Sequence, residues 1–153
     1  MNEVDRLVDI MARLRAPGGC PWDAQQTHRA LRPYLLEETY EVIEALDRGD
    51  FEALRGELGD LLLQIVFHAQ IGSEQGTFDL QDIARSINEK LIHRHPHVFG
   101  DVEVDGPSQV LVNWEKLKLE ERENAGRTSA LDGIPPELPA LARATKVQKK
   151  ASR

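Results

Sequence analysis

The sequence predicts an all-α fold built round an antiparallel pair of helices joined by a short turn. Apolar residues recur at three- and four-residue steps in several segments, and no segment alternates with a period of two over the length of a strand. Leu, Ala, Glu and Arg are frequent while 5% of the residues are aromatic, a composition that favours helix over sheet. The chain of 153 residues is long enough for one domain with its own core.

The first two long helices are predicted from apolar spacing and from the residues at their ends. The first covers residues 4–14 and stops before Pro17 and two glycines. In the loop that follows, Thr27 is placed to cap a short helical turn. The second helix starts near Pro33, because proline is tolerated in a first turn, and runs to about residue 46, before the glycine of the segment DRGD.

Three further helices are predicted in the rest of the chain. Asp50 is a natural N-cap for the third, over residues 51–71, whose run LLLQIVF is apolar nearly all round and is therefore expected to be buried. Asp79 begins the fourth, which ends before Pro96 because proline disfavours helix in the preceding residue. Ser108 is expected to cap the fifth.

Residues 1–125 are predicted to form one domain, and residues 126–153 a Pro-containing linker that runs into a basic terminal helix. We expect a soluble, cytoplasmic protein without a membrane partner, since no stretch approaches the roughly 18 uncharged apolar residues of a membrane span and no signal segment opens the chain. The single cysteine, Cys20, has no second cysteine for an internal disulfide and no other ligand residue at the spacing of a zinc site. It is expected to be a structural or incidental thiol.

The negative charge of the chain is confined to one predicted helical hairpin. Nine acidic and two basic residues between Glu37 and Asp60 account for the whole formal net charge of -7. An acidic chain of this kind argues against nucleic acid as a partner.

Two acidic pairs within that hairpin predict a metal site. Glu38 and Glu41 are three residues apart in one helix, and Glu57 and Asp60 are three apart in the next, so each pair shares a helix face and both can point across the same gap. Ionised carboxylates about 4 Å apart repel by roughly 4 kcal/mol at an effective dielectric of 20, so a converging set requires a cation. Oxygen ligands without His or Cys select Mg²⁺, with Mn²⁺ as a substitute.

Three other interpretations apply to these patterns. The acids could lie on solvated faces of an acidic helical scaffold that binds no metal. A di-iron bundle requires Glu-x-x-His repeats, which the sequence lacks. A zinc site at His93, His95 and His97 is disfavoured because Pro96 breaks the helical spacing and no Cys joins them.

Basic and aromatic residues further along the chain are suited to a phosphorylated ligand. Lys90 and Arg94 are four residues apart in the fourth helix, and Trp114 and Lys118 are four apart in the fifth. The tryptophan is suited to stack on a base while lysine and arginine contact phosphate groups. Each pair taken alone is a weak signal.

The segments CPWDAQQTHRALRPYLLEETYEVIEALDRGDFEALRGELGDLLLQIVFHAQ, EKLIHRHPHVFGD and NWEKLKLEER closely resemble the MazG family of nucleoside triphosphate pyrophosphohydrolases. The resemblance covers essentially the whole chain, and E-E-x-x-E followed by E-x-x-D is the metal-binding signature of that family. It implies an all-α four-helix core that completes its sites as a homodimer or higher homo-oligomer. The implied reaction converts a nucleoside triphosphate and water into a nucleoside monophosphate and pyrophosphate.

The resemblance also implies roles for individual residues. Glu37 is the additional acid of the motif, and either Glu41 or Glu37 orients or deprotonates the attacking water. The implied Mg²⁺ ligands are Glu38, Glu41, Glu57 and Asp60, and the implied nucleotide contacts are Lys90, Arg94, Trp114 and Lys118.

Many relatives carry two such domains, and SALDGIPPELPALARATKVQKK resembles the segment that leads from the first domain to the second. The second domain carries most of the activity in some of those members. The alternative function is therefore a catalytically weak or inactive module that dimerises and senses nucleotides.

Overall fold

The computed structural model describes residues 2–124, 129 and 131–151, with the side chains of residues 122–124 outside that description. Within this part of the chain there are eight α-helices and no β-strand, which confirms the predicted all-α class. The helices are α1 (Glu3–Arg15), α2 (Pro21–Gln25), α3 (Arg32–Arg48), α4 (Phe51–Glu74), α5 (Leu80–Arg94), α6 (Pro96–Phe99), α7 (Pro107–Asn124) and α8 (Ala140–Ala151).

The chain divides into two compact units, Met1–Asn88 and Glu89–Arg153, and the division falls within α5. Among the described residues, no helix is both long and apolar enough to cross a bilayer. The predicted boundary at residues 125 and 126 lies outside the described residues.

The hairpin of α3 and α4 forms as the end signals predicted. Pro33 lies in the first turn of α3, and Gly49 ends that helix in the left-handed region at φ 66°. The Asp50 side chain then caps α4 by accepting hydrogen bonds from the backbone N–H groups of Glu52 and Ala53. The two helices pack against each other across this short turn, so residues on both can face one gap.

The core of the first unit lies where α1, α4 and the turn before α3 meet. Met11, Leu31, Val66, Phe67 and Ile71 are buried and in contact with one another. Burying a side chain of this size is worth about 1.5–3 kcal/mol. This core fixes α1 and the start of α3 against the long helix α4.

The prediction that α4 is buried on all sides is wrong for the described chain. Val66 and Phe67 are buried, but the neighbouring Ile65 is 39% exposed and Leu58 is 48% exposed. The reason is that α1 and α3 are the described helices that pack against α4, and together they cover only part of its circumference.

Arg15 joins three helices of the first unit, an arrangement that the sequence analysis did not predict. Its Nε and Nη2 donate to the Glu74 carboxylate at 2.9 and 2.7 Å, and its Nη1 donates to the carbonyl oxygens of Asp23 and Gln26 at 2.5 and 3.2 Å. The guanidinium also lies 5.5 Å from the centre of the Phe67 ring. Its hydrogen bonds lower the pKa of Glu74, so the pair remains charged at the end of α4.

One predicted N-cap is wrong, and two short helices of the described chain were not predicted. Ser108 does not cap α7, because the helix begins at Pro107 and the Gly106 carbonyl already accepts from the N–H groups of Gln109 and Val110. The helices α2 and α6 are too short for apolar periodicity to reveal them. The predicted basic terminal helix is present as α8.

A pair of histidines connects the turn before α3 with α4. The Nδ1 atoms of His28 and His68 are 2.8 Å apart and the rings are nearly parallel, at 9°. One Nδ1 must therefore donate a hydrogen and the other accept it. Partial burial lowers the pKa of His68, and repulsion by His28 lowers it further. The Arg15 guanidinium of α1 and the Glu74 carboxylate at the end of α4 neutralise each other.

We expect acidification to weaken the first unit through His68. Because its folded-state pKa is lowered, the unfolded chain binds more protons below about pH 6.5, and the stabilisation by neutral His68 is lost as the pH falls through the folded-state pKa. Urea unfolding near pH 7.5 and near pH 5.5 should show a smaller loss for His68→Gln than for the wild type. An equal loss in His68→Gln and the wild type would contradict this coupling.

Candidate functional site

Three of the predicted metal ligands come together on the hairpin. Glu38 and Glu41 lie on α3 and Glu57 lies on α4, and each offers one carboxylate oxygen within 4.8 Å of the other two. Among the described residues this is the one group of three or more His, Cys, Asp or Glu side chains close enough to share an ion. The spacing of three residues on α3 and the short turn at Gly49 are what bring the acids together.

Asp60 and Glu37 lie outside this group of three but belong to the same electrostatic environment. Both repel the charged form of Glu38. Asp60 is on α4, one helical turn beyond Glu57, and its side chain is exposed. The structure therefore brings three of the four predicted ligands into mutual contact distance and leaves Asp60 beside them.

The electrostatics of Glu38 show the effect of this crowding. Partial burial raises the pKa of Glu38, and repulsion by Asp60 and Glu41 raises it further. Within the described residues, no basic side chain forms an ion pair with Glu38, Glu41 or Glu57. Glu44, the next acid on α3, instead pairs with Arg48. The cluster therefore lacks a counter-charge from these side chains.

The donor set of the cluster fits a hard divalent cation. All three ligands are carboxylates, which Mg²⁺ and Mn²⁺ prefer over the softer transition metals. Oxygens bound to one Mg²⁺ lie about 3–4 Å from each other, because each is about 2.0–2.1 Å from the ion. The three oxygens lie within 4.8 Å of one another, so small side-chain rotations are enough to bring them to this spacing.

The predicted phosphate-binding residues lie in the second unit and have an acidic partner there. Arg94 donates from Nε and Nη2 to the two carboxylate oxygens of Glu121, at 3.0 and 2.5 Å. This bidentate ion pair lowers the pKa of Glu121, and the nearby charges of His93 and Lys90 add to the effect. The sequence analysis did not single out Glu121, since an acid one helical turn after Lys118 has no distinguishing signal.

Cations lie against the ring of Trp114, where the sequence analysis expected a base to stack. The Lys118 Nζ is 4.5 Å and the Arg94 Cζ is 5.6 Å from the ring centre. Both are cation–π distances. The buried Nε1 of Trp114 has no hydrogen-bond partner among the described residues. The ring thus holds two of the predicted phosphate contacts close together.

The three neighbouring histidines do not form a zinc site in the described structure. His93 lies 3.9 Å from a carboxylate oxygen of Glu121, and the rings of His95 and His97 are 5.6 Å apart between centres. The Nδ1 of His95 is 2.6 Å from the carbonyl oxygen of Leu91, at the end of α5. These contacts fit a packed turn at the end of the helix.

The fold and the acid cluster define a class of all-α proteins with a group of carboxylates on a helical hairpin. Residues 26–99 match the family model of the MazG nucleotide pyrophosphohydrolase domain. The match contains the whole hairpin and both acidic pairs. The chain belongs to the MazG family.

Two curated relatives are similar over nearly all of the chain. A nucleoside triphosphate pyrophosphohydrolase of Escherichia coli K12 is 56% identical over 99% of this chain and 58% of its own length. A nucleoside triphosphate pyrophosphohydrolase/pyrophosphatase MazG of Thermotoga maritima is 48% identical over 97% of this chain and 56% of its own length. This chain thus spans a little over half the length of these two relatives.

A solved structure supports the fold independently. The crystal structure of a mazG-related protein from Thermotoga maritima matches with a TM-score of 0.63 and 28% identity. The match covers 75% of this chain and 98% of the other. The all-α architecture described above is therefore shared with an experimentally determined member of the family.

Proposed function

We propose that this chain catalyses the Mg²⁺-dependent hydrolysis of nucleoside triphosphates to nucleoside monophosphate and pyrophosphate. The observation that carries the proposal is the group of three carboxylates on the hairpin, which lacks a basic partner among the described side chains. The names of the Escherichia coli and Thermotoga maritima relatives support the same reaction class.

The proposed metal ligands are Glu38, Glu41, Glu57 and Asp60, with Mn²⁺ as a substitute for Mg²⁺. When bound, the cation offsets the charge of the triphosphate and lowers the pKa of a water molecule towards neutrality. This role explains why the hairpin carries the whole net charge of the chain.

The water attacks the α-phosphorus in line, and the bond from that phosphorus to the bridging oxygen breaks, so that pyrophosphate leaves with the electron pair. Glu41 or Glu37 orients the water and accepts its proton. Lys90, Arg94 and Lys118 stabilise the negative charge that develops on the pyrophosphate. Trp114 holds Arg94 and Lys118 by cation–π contact, and it contributes to nucleotide binding by keeping these two cations in place.

A homodimer or higher homo-oligomer is part of the proposal. Large apolar side chains on the hairpin are exposed in the single chain, among them Leu36, Tyr40, Ile43 and Leu46 on α3. An exposed row of this size on neighbouring turns is typical of a protein interface. We place the reaction in the cytoplasm, with removal of unwanted nucleotides from the pool as its role.

The reaction is tested by following pyrophosphate release from a panel of canonical and modified nucleoside triphosphates with Mg²⁺, with Mn²⁺ and with EDTA. We expect release with either metal and none with EDTA. In ¹⁸O-labelled water the label should enter the monophosphate, because attack is at the α-phosphorus. Metal-independent hydrolysis, or no hydrolysis of any nucleotide, would defeat the proposal for this chain.

Binding measurements beside the assay of pyrophosphate release separate the enzyme from the alternative, a nucleotide-sensing module without turnover. Calorimetric binding of a nucleoside triphosphate with no product formed would favour the module. A third outcome, no rise in thermal stability on addition of Mg²⁺ or Mn²⁺, would favour a metal-free acidic scaffold, because a ligand that binds the folded state stabilises it by mass action.

A further inference from the structure

Glu121 is an acid surrounded by basic residues in the second unit. Its carboxylate receives two hydrogen bonds from Arg94 and lies 3.9 Å from the Nε2 of His93. The charge of Lys90 also acts on it. Two of these bases, Lys90 and Arg94, are proposed phosphate contacts. An acid in this place requires an explanation, since its negative charge repels the phosphate groups that these bases are proposed to bind.

The geometry of the Arg94 ion pair leaves part of the guanidinium available. Glu121 uses Nε and Nη2, which form one edge of the planar group. A guanidinium has five N–H donors, and a second edge is formed by Nη1 and Nη2. Among the described residues no acceptor is hydrogen-bonded to the Nη1 of Arg94. One edge is therefore held by the protein and the other can bind an anion.

The surroundings of Arg94 make its orientation depend on Glu121. The Arg94 side chain is 17% exposed and its guanidinium lies against the Trp114 ring. A partly buried cation is destabilised unless a counter-charge is hydrogen-bonded to it. The flexible arginine side chain also has many rotamers, of which the bidentate contact selects one.

We propose that Glu121 is a positioning residue, which holds the guanidinium of Arg94 so that its Nη1 edge binds a phosphate group of the substrate. The inference rests on the proposed function, because it takes the phosphate ligand from there. Glu121 thereby orients the Arg94 guanidinium, a role that neither the acidic hairpin nor the basic residues perform.

Phosphate binding would respond in the opposite direction if Glu121 were an anion that competes with phosphate for Arg94. Removing its charge would then strengthen phosphate binding, whereas removing a positioning residue weakens it. The sign of the change in affinity distinguishes the two roles.

The test compares Glu121→Gln with the matched control Glu120→Gln, an exposed acid on the same helix. Calorimetry with inorganic tripolyphosphate in metal-free buffer measures affinity without requiring turnover. We expect Glu121→Gln to bind about 10-fold more weakly and Glu120→Gln to bind like the wild type. Unchanged or tighter binding by Glu121→Gln, or no measurable binding by the wild type, would overturn the proposal.

Steady-state kinetics provide a second measurement on the active protein. We expect Glu121→Gln to raise KM for the nucleotide about 10-fold and to lower kcat as well, because Arg94 both binds the phosphate and stabilises the charge that develops on the pyrophosphate. Glu121→Asp keeps the charge and should recover part of the loss. A fall in kcat with unchanged KM would contradict the positioning role.

Fluorescence of Trp114 reports the position of Arg94 directly. In a Trp22→Phe background Trp114 is the single tryptophan of the 153-residue chain. Loss of the ion pair should change its emission, while the thermal unfolding midpoint shows whether the variant is folded. Emission identical to that of the Trp22→Phe parent would overturn the proposal. If the wild type released no pyrophosphate, the proposed function would fail, while the binding and fluorescence measurements would still decide the role of Glu121.

Discussion

Glu38→Ala should abolish pyrophosphate release, with a loss of about 10²- to 10³-fold or more. Asp60, Glu41 and Glu37 all repel the charged form of Glu38, so Glu38 is surrounded by other acids of the hairpin. Removing it takes one carboxylate oxygen from a group of three within 4.8 Å. The measurement is release of pyrophosphate from a nucleoside triphosphate with saturating Mg²⁺.

The same variant should remain folded and should be as stable as the wild type, or more so, in metal-free buffer. The reason is that the substitution removes a partly buried carboxylate whose charged form is repelled by its neighbours. Addition of Mg²⁺ should raise the thermal midpoint of the wild type and should raise that of Glu38→Ala much less.

Glu44→Ala is the matched control for this prediction. Glu44 is on the same helix, but it is 58% exposed and pairs with Arg48. An exposed pair of this kind contributes little to stability, so the control should keep its activity and its response to Mg²⁺. Full activity in Glu38→Ala, or equal losses in both variants, would remove the assignment of the metal site.

Gly72→Ala should destabilise the protein by about 1–3 kcal/mol or more. A Cβ at Gly72 would lie 2.6 Å from the carbonyl oxygen of Phe78 and 2.9 Å from the Phe78 ring. The carbonyl is backbone and cannot rotate away. It belongs to the segment that folds back on α4, where the N–H and hydroxyl of Thr77 both donate to the Gly72 carbonyl. The change in the free energy of unfolding is measured by urea denaturation.

Gly56→Ala is the same substitution in the same helix, and here we expect the free energy of unfolding to increase. Nothing lies within 4 Å of a Cβ at Gly56. Alanine should therefore stabilise α4 by about 0.5–1 kcal/mol through its higher helix propensity. Both variants are compared in EDTA, because Gly56 is next to Glu57. A loss of stability in Gly56→Ala, or none in Gly72→Ala, would show that packing around α4 differs from the structure described.

The helices themselves were largely predictable because their signals are local. Pro33, Gly49 and Asp50 mark the ends of α3 and α4 through backbone geometry and capping, which depend on the nearest few residues. The prediction for Ser108 was wrong because Pro107 beside it already satisfies the requirements of a first turn. The two short helices were missed because four or five residues do not show a period.

The acid cluster was predictable for a related reason. Glu38 and Glu41 share a face by helical geometry, and a hairpin with a short turn must bring Glu57 opposite them. The structure adds that Asp60 stands beside the group of three. It also shows that Glu44, on the same helix, is paired with Arg48.

The sequence by itself therefore determined the all-α class, the acidic hairpin and the grouping of carboxylates on it, since each follows from short-range periodicity and residue type. The tertiary structure alone decided the open face of α4 and three long-range polar pairs. His28 meets His68, Arg15 meets Glu74 and Arg94 meets Glu121 across 40, 59 and 27 residues of chain. No local rule specifies such partners, because their meeting depends on how whole helices pack and on which charges that packing excludes from water.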